Sequence, residues 1–227
     1  MATHLIPERQ PMQAKKRVLI VDDHPLMRQG LGLLINQQLD LHVCGEAEEA
    51  QGALLVIAQQ RPDILILDIS LSGPDGLEVL KSIRASEPSL PVLVLSMHDE
   101  AIYAERALRA GANGYIMKQE ASEKVLVALR RILGGEIYLS DRMSNKMLQQ
   151  FIGVGVATIQ SRMASLSDRE LEVFRLIGDG RATREIADQL HLSIKTVETY
   201  QAHIKEKLAL RSGRELIQHA VQWKINE

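Results

Sequence analysis

The first part of the chain alternates short apolar runs with amphipathic segments of helical length. The runs are continuously apolar, which is typical of strands buried on both faces of a parallel sheet. Five runs occur, two of them weaker than the rest, at 18–21, 41–44, 64–67, 92–95 and 114–117. The helical segments that follow them are 25–37, 48–59, 75–85, 99–109 and 120–133. This alternation predicts an open, doubly wound α/β sheet with the flavodoxin-like strand order 2-1-3-4-5.

A second pattern begins after Gly134 and Gly135, where the alternation stops. A stretch of mixed polarity predicts a linker with one helix, from Asp141 to Phe151. From Leu166 onward the apolar spacing is purely helical, and Ser167 and Glu170 have the spacing of a capping box. Four short helices are predicted, at 167–177, 183–190, 193–208 and 212–223. The predicted organisation is a flexible tail at 1–15, the α/β domain at 16–137, the partly helical linker at 138–165 and an all-α domain at 166–227.

The composition excludes several classes of protein. A content of 45% hydrophobic and 25% charged residues is that of a globular protein, not of a disordered or collagen-like one. Cys44 is the single cysteine, so no internal disulfide is possible. The chain has no apolar run near the roughly 18 residues that a membrane span needs, and residues 1–13 have no signal-peptide core. We therefore expect a cytoplasmic protein with no membrane partner.

The formal net charge of −2 is unevenly distributed. Residues 16–137 contain 12 Lys and Arg against 17 Asp and Glu, a net charge of −5. Residues 166–227 contain ten of each and are neutral, and the linker is slightly basic. A protein that binds nucleic acid usually presents a basic face, so charge alone argues against such a partner for the all-α domain.

Polar side chains follow four of the predicted strands. They are Asp22 and Asp23, Asp68, Ser96, and Lys118. Because the carboxyl ends of neighbouring parallel strands meet at one edge of a sheet, we expect these groups to converge. Three carboxylates side by side repel one another unless a cation is present, and hard oxygens of this kind are ligands for Mg²⁺. An aspartate beside the ion can attack phosphorus, although each aspartate taken alone is more simply a turn former.

Four motifs in this region resemble those of the response-regulator receiver domain, over about residues 16 to 137. They are Val18-Leu19-Ile20-Val21-Asp22-Asp23-His24-Pro25, Asp68 with Gly73-Pro74-Asp75-Gly76-Leu77-Glu78, Val94-Leu95-Ser96, and Gly111-Ala112-Asn113-Gly114-Tyr115-Ile116-Met117-Lys118. The resemblance implies that Asp68 accepts a phosphoryl group from a histidine kinase. It also implies that Asp23, Asp68 and the main-chain carbonyl of Ser70 bind Mg²⁺ directly, with Asp22 acting through water.

The same resemblance assigns the remaining polar groups. Lys118 would pair with the acyl phosphate, and Ser96 would turn to hydrogen-bond it. Tyr115 has the family's aromatic switch position and would swing inward with Ser96, while a half-buried strand tyrosine is the plain alternative. Ser70 and His98 lie where the family tunes hydrolysis of the phosphate. One departure is visible: Ser72 stands where the family usually has proline, with Pro74 two positions later.

The all-α domain contains two helices, 183–190 and 193–208, whose spacing fits a helix-turn-helix. Periodicity alone fits an ordinary helical hairpin equally well. The motifs Leu166 to Val173, Glu185 to Leu190 and Leu192 to Glu198 are similar to the LuxR-type DNA-binding domain. A receiver followed by this domain resembles the NarL/FixJ subfamily, which implies double-stranded DNA as a partner and a homodimer on activation.

The resemblance also implies which residues contact DNA. Base and phosphate contacts would fall on Lys195, Glu198, Thr199 and Ala202. Phosphate anchoring would involve Arg181, Arg184, Lys195, Lys205, Lys207 and Arg211. Glu198 has two interpretations, as an acceptor for a cytosine amino group or as a group that repels phosphate. Because the domain is neutral, we expect modest monomer affinity and binding that depends on dimers at paired half-sites.

Three functional hypotheses are compatible with these residues. The first is a two-component transcription factor, not an enzyme except for self-catalysed phosphotransfer and dephosphorylation. The second is a phosphatase that uses Asp68 as nucleophile, although Ser70 stands where such enzymes place a general acid. The third is a regulator that binds DNA without phosphorylation, against which the complete set of acidic-site residues argues. The resemblance implies a dimer contact through the exposed part of the last helix, and the receiver surface around the fourth helix, fifth strand and fifth helix is the other candidate.

Overall fold

The structure is a computed structural model that describes residues 14–71, 76–151, 163 and 165–225. The predicted tail before Ala14, the loop with Ser72 and Pro74, and the linker residues 152–162 and 164 lie outside the described residues. Among the residues described, none of the helices combines the length and the apolar composition that a membrane span requires.

The α/β domain contains five strands and five helices in alternation. The strands are β1 (Lys16–Val21), β2 (Leu41–Ala47), β3 (Ile64–Asp68), β4 (Val92–Ser96) and β5 (Gly114–Met117). The helices are α1 (Pro25–Asn36), α2 (Ala50–Gln60), α3 (Gly76–Ser86), α4 (Glu100–Arg109) and α5 (Ala121–Leu133). The strands form one parallel sheet in the order β2-β1-β3-β4-β5, so the predicted flavodoxin-like topology is confirmed.

Both faces of the sheet are buried, which explains why its strands are continuously apolar. In β1, Leu19 and Val21 pack in one apolar cluster, whereas Val18 and Ile20 pack in another. The first cluster includes side chains of α2, α3 and α4, and the second includes side chains of α1 and α5. The sheet is therefore the middle layer of three, and its carboxyl-terminal edge holds the polar residues that follow the strands.

The linker begins as an extension of the sheet. The N–H of Tyr138 donates to the carbonyl of Asn113 at 2.9 Å, and the carbonyl of Tyr138 accepts from the N–H of Tyr115 at 3.0 Å. Helix α6 (Asp141–Phe151) follows, with the bounds that the sequence predicts. The chain that leaves the α/β domain is thus attached to β5 before it reaches the helical domain.

The second domain consists of four helices, α7 (Asp168–Gly178), α8 (Thr183–Gln189), α9 (Ile194–Lys207) and α10 (Gly213–Ile225). Its core contains apolar side chains from all four, among them Phe174, Ile186, Ile204 and Ala220. Gly180, at φ +78°, lies in the left-handed region and ends the turn after α7. These features reproduce the predicted four-helix arrangement to within about two residues at each helix end.

The capping box at the start of α7 also joins two helices. The carboxylate of Glu170 accepts from the N–H of Ser167 at 2.6 Å and from Nζ of Lys207, at the end of α9, at 2.6 Å. Burial disfavours the charged form of Glu170, but the bonds from Lys207 and Ser167 outweigh it and lower the pKa of that carboxyl. One buried carboxylate therefore caps α7 and fixes the end of α9 against it.

Replacing Glu170 with Ala should destabilise the helical domain by about 1–3 kcal/mol, because a cap is lost and Lys207 loses its buried partner. Urea unfolding at neutral pH measures the change, with Glu206→Ala, on the exposed face of α9, as control. Folding lowers the pKa of Glu170. The stability that its carboxylate contributes is therefore fully present above about pH 4.3 and is lost as the pH falls through the lowered pKa. Equal unfolding midpoints for the two variants would contradict this role.

Candidate functional site

Polar side chains from four strand ends meet at the carboxyl-terminal edge of the sheet. Asp22 and Asp23 follow β1, Asp68 ends β3, Ser96 ends β4 and Lys118 follows β5. The strand order places these four strands side by side, so the predicted convergence of the groups is a consequence of the topology. Asp22, Asp68, Ser96 and Lys118 are all buried, and Asp23 lies at the surface of the cluster.

Lys118 holds the centre of this cluster. Its Nζ lies 2.6 Å from Oδ2 of Asp68 and 2.8 Å from Oδ2 of Asp22. Burial raises the pKa of Asp68, and the neighbouring charge of Asp22 acts in the same direction. The hydrogen bonds from Lys118 and from the N–H of Ser70 partly offset these effects. The ammonium group thus compensates two buried carboxylates that would otherwise repel each other.

The acidic cluster has the ligands of a divalent-cation site. One side-chain atom of each of Asp22, Asp23, His24 and Asp68 lies within 4.8 Å of the corresponding atom of every other. Carboxylate oxygens from three aspartates are the hard ligands that Mg²⁺ takes, and Mg²⁺ usually keeps several waters besides. The residues present therefore fit the ion that the sequence predicts.

His24 is a member of this cluster that the sequence interpretation missed. Its Nδ1 lies 2.7 Å from Oδ1 of Asp23, 3.2 Å from Oδ1 of Asp22 and 3.3 Å from Nζ of Lys118. The only sequence feature that could have indicated this role is the position of His24 directly after the aspartate pair. The imidazole is half-exposed and so lies at the mouth of the site.

The sequence interpretation also missed a second residue, Arg28, which contacts the backbone that carries the cluster. Arg28, in α1, is buried and donates to the main-chain carbonyl of Asp22 at 2.5 Å. It also donates to the carboxylate of Glu48, which precedes α2. The guanidinium therefore holds the backbone that carries the first two aspartates. Its only sequence signal is an arginine on the apolar face of an amphipathic helix.

Ser70, in the loop after β3, and Ser96, the last residue of β4, lie next to each other beside Asp68. The N–H of Ser70 donates to Oδ1 of Asp68 at 2.7 Å, which places the Ser70 backbone beside that carboxylate. The two serine hydroxyls are 3.4 Å apart, and Oγ of Ser96 accepts from the N–H of His98 at 3.0 Å. Ser96 is thus already bonded to the loop that leads from β4 into α4.

The same loop is tied to β5 by an aromatic side chain. Tyr115 is buried, and its hydroxyl donates to the carbonyl of His98 at 2.8 Å. The His98 ring stacks on that of Tyr103, in α4, with centroids 4.6 Å apart. The structure therefore has Tyr115 in an inward position, and any change at Ser96 acts on a loop that is connected both to β5 and to α4.

The helix-turn-helix pair presents the predicted reading face to solvent. Val197 and Ile204, in α9, and Leu208, which directly follows it, are buried, so Ile204 faces inward and the exposed His203 does not. The four residues predicted to contact bases or phosphates are all exposed: Lys195, Glu198, Thr199 and Ala202. This arrangement presents one side of α9 in the manner of a recognition helix.

The predicted phosphate anchors differ in how available they are. Arg181, Arg184, Lys195 and Arg211 are exposed, and Lys205 is half-buried. Lys207 is exposed but bonded to Glu170 at 2.6 Å, so its charge is already partly compensated within the domain. Of the predicted anchors, the three arginines and Lys195 are therefore the most exposed to solvent.

Comparisons with known proteins assign both domains. The family model for the response regulator receiver domain matches residues 18–130, and that for the bacterial regulatory proteins of the luxR family matches residues 164–220. Among curated relatives, the oxygen regulatory protein NreC of Staphylococcus epidermidis is 34% identical over 216 residues, covering 93% of this chain and 99% of that protein. NreC of Staphylococcus carnosus is 35% identical over 213 residues, covering 92% and 98%.

Solved structures of similar architecture include the RcsB response regulator of Salmonella typhimurium. It aligns with a TM-score of 0.72 and 27% identity over 92% of this chain and 98% of that one. RcsB of Salmonella enterica serovar Typhimurium, bound to a promoter in the presence of the phosphomimetic BeF₃⁻, aligns with a TM-score of 0.68 and 29% identity, covering 91% and 98%. This chain therefore belongs to the two-component response regulators of the NarL/FixJ subfamily, and it regulates transcription through a receiver domain and a LuxR-type DNA-binding domain.

Replacing Lys118 with Met should destabilise the receiver by about 3 kcal/mol in the absence of divalent ions, because two buried carboxylates lose their shared partner. Excess Mg²⁺ should restore part of the loss, since the ion supplies positive charge to the same carboxylates. Urea unfolding with and without Mg²⁺ measures both effects. Lys124→Met, which removes only a surface pair with Glu120, is the control and should change stability by less than about 1 kcal/mol. A Lys118→Met variant as stable as this control would refute the role given to Lys118.

Proposed function

We propose that Asp68 is the phospho-acceptor of this regulator, that the regulator acts in the cytoplasm, and that phosphorylation of Asp68 by a histidine kinase controls binding of double-stranded DNA by the helical domain. The observation that carries the proposal is the position of Asp68, which ends β3 beside Lys118 and within one cluster with Asp22 and Asp23. A carboxylate whose neighbours are an ammonium group and further metal-binding carboxylates is equipped to attack phosphorus.

In this proposal Oδ of Asp68 attacks the phosphorus of a phosphohistidine on the kinase. A phosphorus–oxygen bond forms as the phosphorus–nitrogen bond breaks, and the imidazole of the kinase leaves with its electron pair. Lys118 moves its hydrogen bond from the carboxylate to the new phosphoryl oxygens. Asp23, Asp68 and the main-chain carbonyl of Ser70 would hold Mg²⁺, with Asp22 acting through water, and the bound ion supplies charge that stabilises the transferred group.

The response to phosphorylation starts at Ser96. Its hydroxyl would leave the N–H of His98 and donate to a phosphoryl oxygen, which pulls on the loop between β4 and α4. The hydroxyl of Tyr115 already donates to the carbonyl of His98. Through this bond Tyr115 would stabilise the position that the loop takes after Ser96 has moved. Ser70 and His98 border the same site, and we assign to them the rate at which water removes the phosphoryl group. Self-catalysed phosphotransfer and this hydrolysis are the two enzymatic activities that the proposal includes.

The DNA-binding step depends on pairing two chains. The helical domain has no net charge, so one copy gains little from phosphate contacts. Exposed apolar side chains of α10, at Ile217, Val221 and Ile225, lie at helical spacing and suit a contact with a second copy. A homodimer that forms on activation would place two copies of α9 at paired half-sites.

Replacing Asp68 with Asn should abolish the labelling of the chain by acetyl phosphate in the presence of Mg²⁺, because the amide lacks the nucleophilic oxygen. Intact-protein mass spectrometry measures the added phosphoryl group. Asp188→Asn removes an exposed carboxylate in α8 and should label like the unchanged protein. Full labelling of Asp68→Asn would show that another residue is the acceptor.

Replacing Glu198 with Gln separates its two interpretations. The probes are a duplex selected from a random pool by the unchanged protein and a duplex of unrelated sequence. If the carboxylate accepts from a cytosine amino group, the affinity of the variant for the selected duplex falls by at least about fivefold, and its affinity for the unrelated duplex is nearly unchanged. If the carboxylate repels phosphate, both duplexes are bound more tightly. Fluorescence anisotropy at several salt concentrations measures both, with Glu206→Gln, further along α9, as control. Identical binding by Glu198→Gln and the control would remove Glu198 from the interface.

A further inference from the structure

One charged side chain lies in the buried stripe by which α1 packs on the sheet. The buried residues of this helix recur at the spacing of one helix face: Arg28, Leu31, Gly32 and Ile35. Arg28 is the member of the stripe nearest the start of the helix, and only 8% of its surface is exposed. Burying a guanidinium costs free energy unless its N–H groups are hydrogen-bonded. The partners of Arg28 therefore indicate what its position achieves.

The guanidinium bridges the ends of β1 and β2. It donates to the main-chain carbonyl of Asp22, directly after β1, at 2.5 Å, and to the carboxylate of Glu48, directly after β2. Its Nε lies 3.7 Å from Oε2 of Glu46, within β2. These two glutamates offset the charge of Arg28, so the side chain can stay buried beside the acidic cluster.

The peptide that joins Asp22 to Asp23 is held by this contact. The carbonyl of Asp22 and the N–H of Asp23 lie in one planar group, so fixing the carbonyl fixes the orientation of the backbone that enters Asp23. The N–H of Asp22 itself donates to the carbonyl of Ala47 at 3.1 Å. The N–H of His24 donates to Oδ1 of Asp22 at 2.8 Å. Arg28 thus completes a set of bonds that holds the chain on each side of the two aspartates.

Asp23 depends on this backbone more than the other two aspartates of the cluster do. Asp22 and Asp68 are buried, at 1% and 0% exposure, and both carboxylates are bonded to Lys118. Asp23 is only partly buried, with 20% of its side chain exposed. Packing restrains its carboxylate less, so the orientation of the preceding peptide has more influence on where that carboxylate lies.

Charge and position make opposite predictions for Arg28. A guanidinium close to a cation site repels the cation, so its removal would strengthen Mg²⁺ binding if charge alone mattered. If the side chain orients Asp23 as a ligand, its removal weakens Mg²⁺ binding instead, because one ligand is then misplaced. The sign of the change therefore separates a positioning residue from a purely electrostatic effect.

We propose that Arg28 is a positioning residue of the site around Asp68. It orients the peptide between Asp22 and Asp23 so that the carboxylate of Asp23 reaches a Mg²⁺ ion, and Glu48 keeps the guanidinium in place. Through these two side chains, the segment between β2 and α2 is connected to the metal-binding segment after β1. This inference rests on the proposed function, since it concerns the Mg²⁺ ion which that function requires at Asp23 and Asp68.

The Mg²⁺ affinity of the full chain, measured without phosphorylation, tests this role. The matched control is Arg84, in α3, a second arginine that donates to main-chain carbonyls, those of Pro88 and Gly111, both at 2.6 Å. These carbonyls precede β4 and β5, at the opposite edge of the sheet. Titration with MgCl₂ at constant ionic strength, followed by amide NMR shifts, gives the dissociation constant and shows whether each variant is folded. Arg28→Gln should raise this constant at least about fivefold, and Arg84→Gln by less than about twofold. Binding by Arg28→Gln as tight as that by Arg84→Gln, or tighter, would overturn the proposal.

Glu48 provides a second test, which leaves Arg28 and the core of the receiver in place. Glu48→Gln removes the partner of the guanidinium, and Glu49→Gln removes an equal charge from the next residue, which is also exposed. Glu48→Gln should weaken Mg²⁺ binding at least about threefold, and Glu49→Gln by less than about twofold. In the Arg28→Gln background the effect of Glu48→Gln should disappear, because Glu48 acts through Arg28. Equal losses in Glu48→Gln and Glu49→Gln would show that only the missing charge matters, and would overturn the proposal even if Arg28→Gln did not fold.

The proposed function and this inference fail in different ways. Full labelling of Asp68→Asn would reject Asp68 as the acceptor, and the comparison of Mg²⁺ affinities would stand. Absence of Mg²⁺ binding by the unchanged chain would reject the metal site of the proposed function, and the inference with it. Equal affinities of Arg28→Gln and Arg84→Gln would reject only the role of Arg28.

Discussion

The interaction on which the rest of the structure depends is the bond of one buried lysine to two buried aspartates. Nζ of Lys118 lies within 2.8 Å of both Asp22 and Asp68, so it joins β1, β3 and β5 across the edge of the sheet. The cost of burying three charged groups is offset only while all three remain together. Any reaction that changes the charge of Asp68 must therefore redistribute the bonds of Lys118 and Ser96. In the proposed mechanism, the site responds to phosphorylation of Asp68 because its resting state is balanced in this way.

Helix α4 links that site to the second domain. Its first turn follows the loop that Ser96 and Tyr115 hold, and Arg106 near its end binds the backbone and carboxylate at the start of α7. The helical domain carries no net charge, so the proposed function gives one copy little affinity for DNA and makes the pairing of two copies the controlled step. The acidic receiver and the neutral effector domain are thus parts of one mechanism.

Much of this was predictable from the sequence because its signals are local or periodic. Continuous apolar runs predict buried parallel strands, and the order of the strands follows from a known topology. With that order, the polar residues at the strand ends are predicted to meet at one edge of the sheet, namely Asp22, Asp68, Ser96 and Lys118. Resemblance to two families was needed to separate a recognition helix from an ordinary hairpin. The positions of His24 and Arg28 were not predicted, because an exposed imidazole and a buried guanidinium obey no spacing rule. The bond from Arg106 to Asp168 joins residues far apart in sequence and depends on how two domains pack, which no local pattern encodes.

The most direct test of the account is amide hydrogen exchange on the full-length chain before and after labelling with acetyl phosphate and Mg²⁺. The account predicts that phosphorylation accelerates exchange in the outer face of α4 and in residues 163–171, while the core strands β1 and β3 stay protected. It also predicts that the same treatment leaves the Asp68→Asn variant unchanged. Phosphorylation that alters exchange only in the loops around Asp68, with α4 and the start of α7 as protected as before, would contradict the link between the two domains.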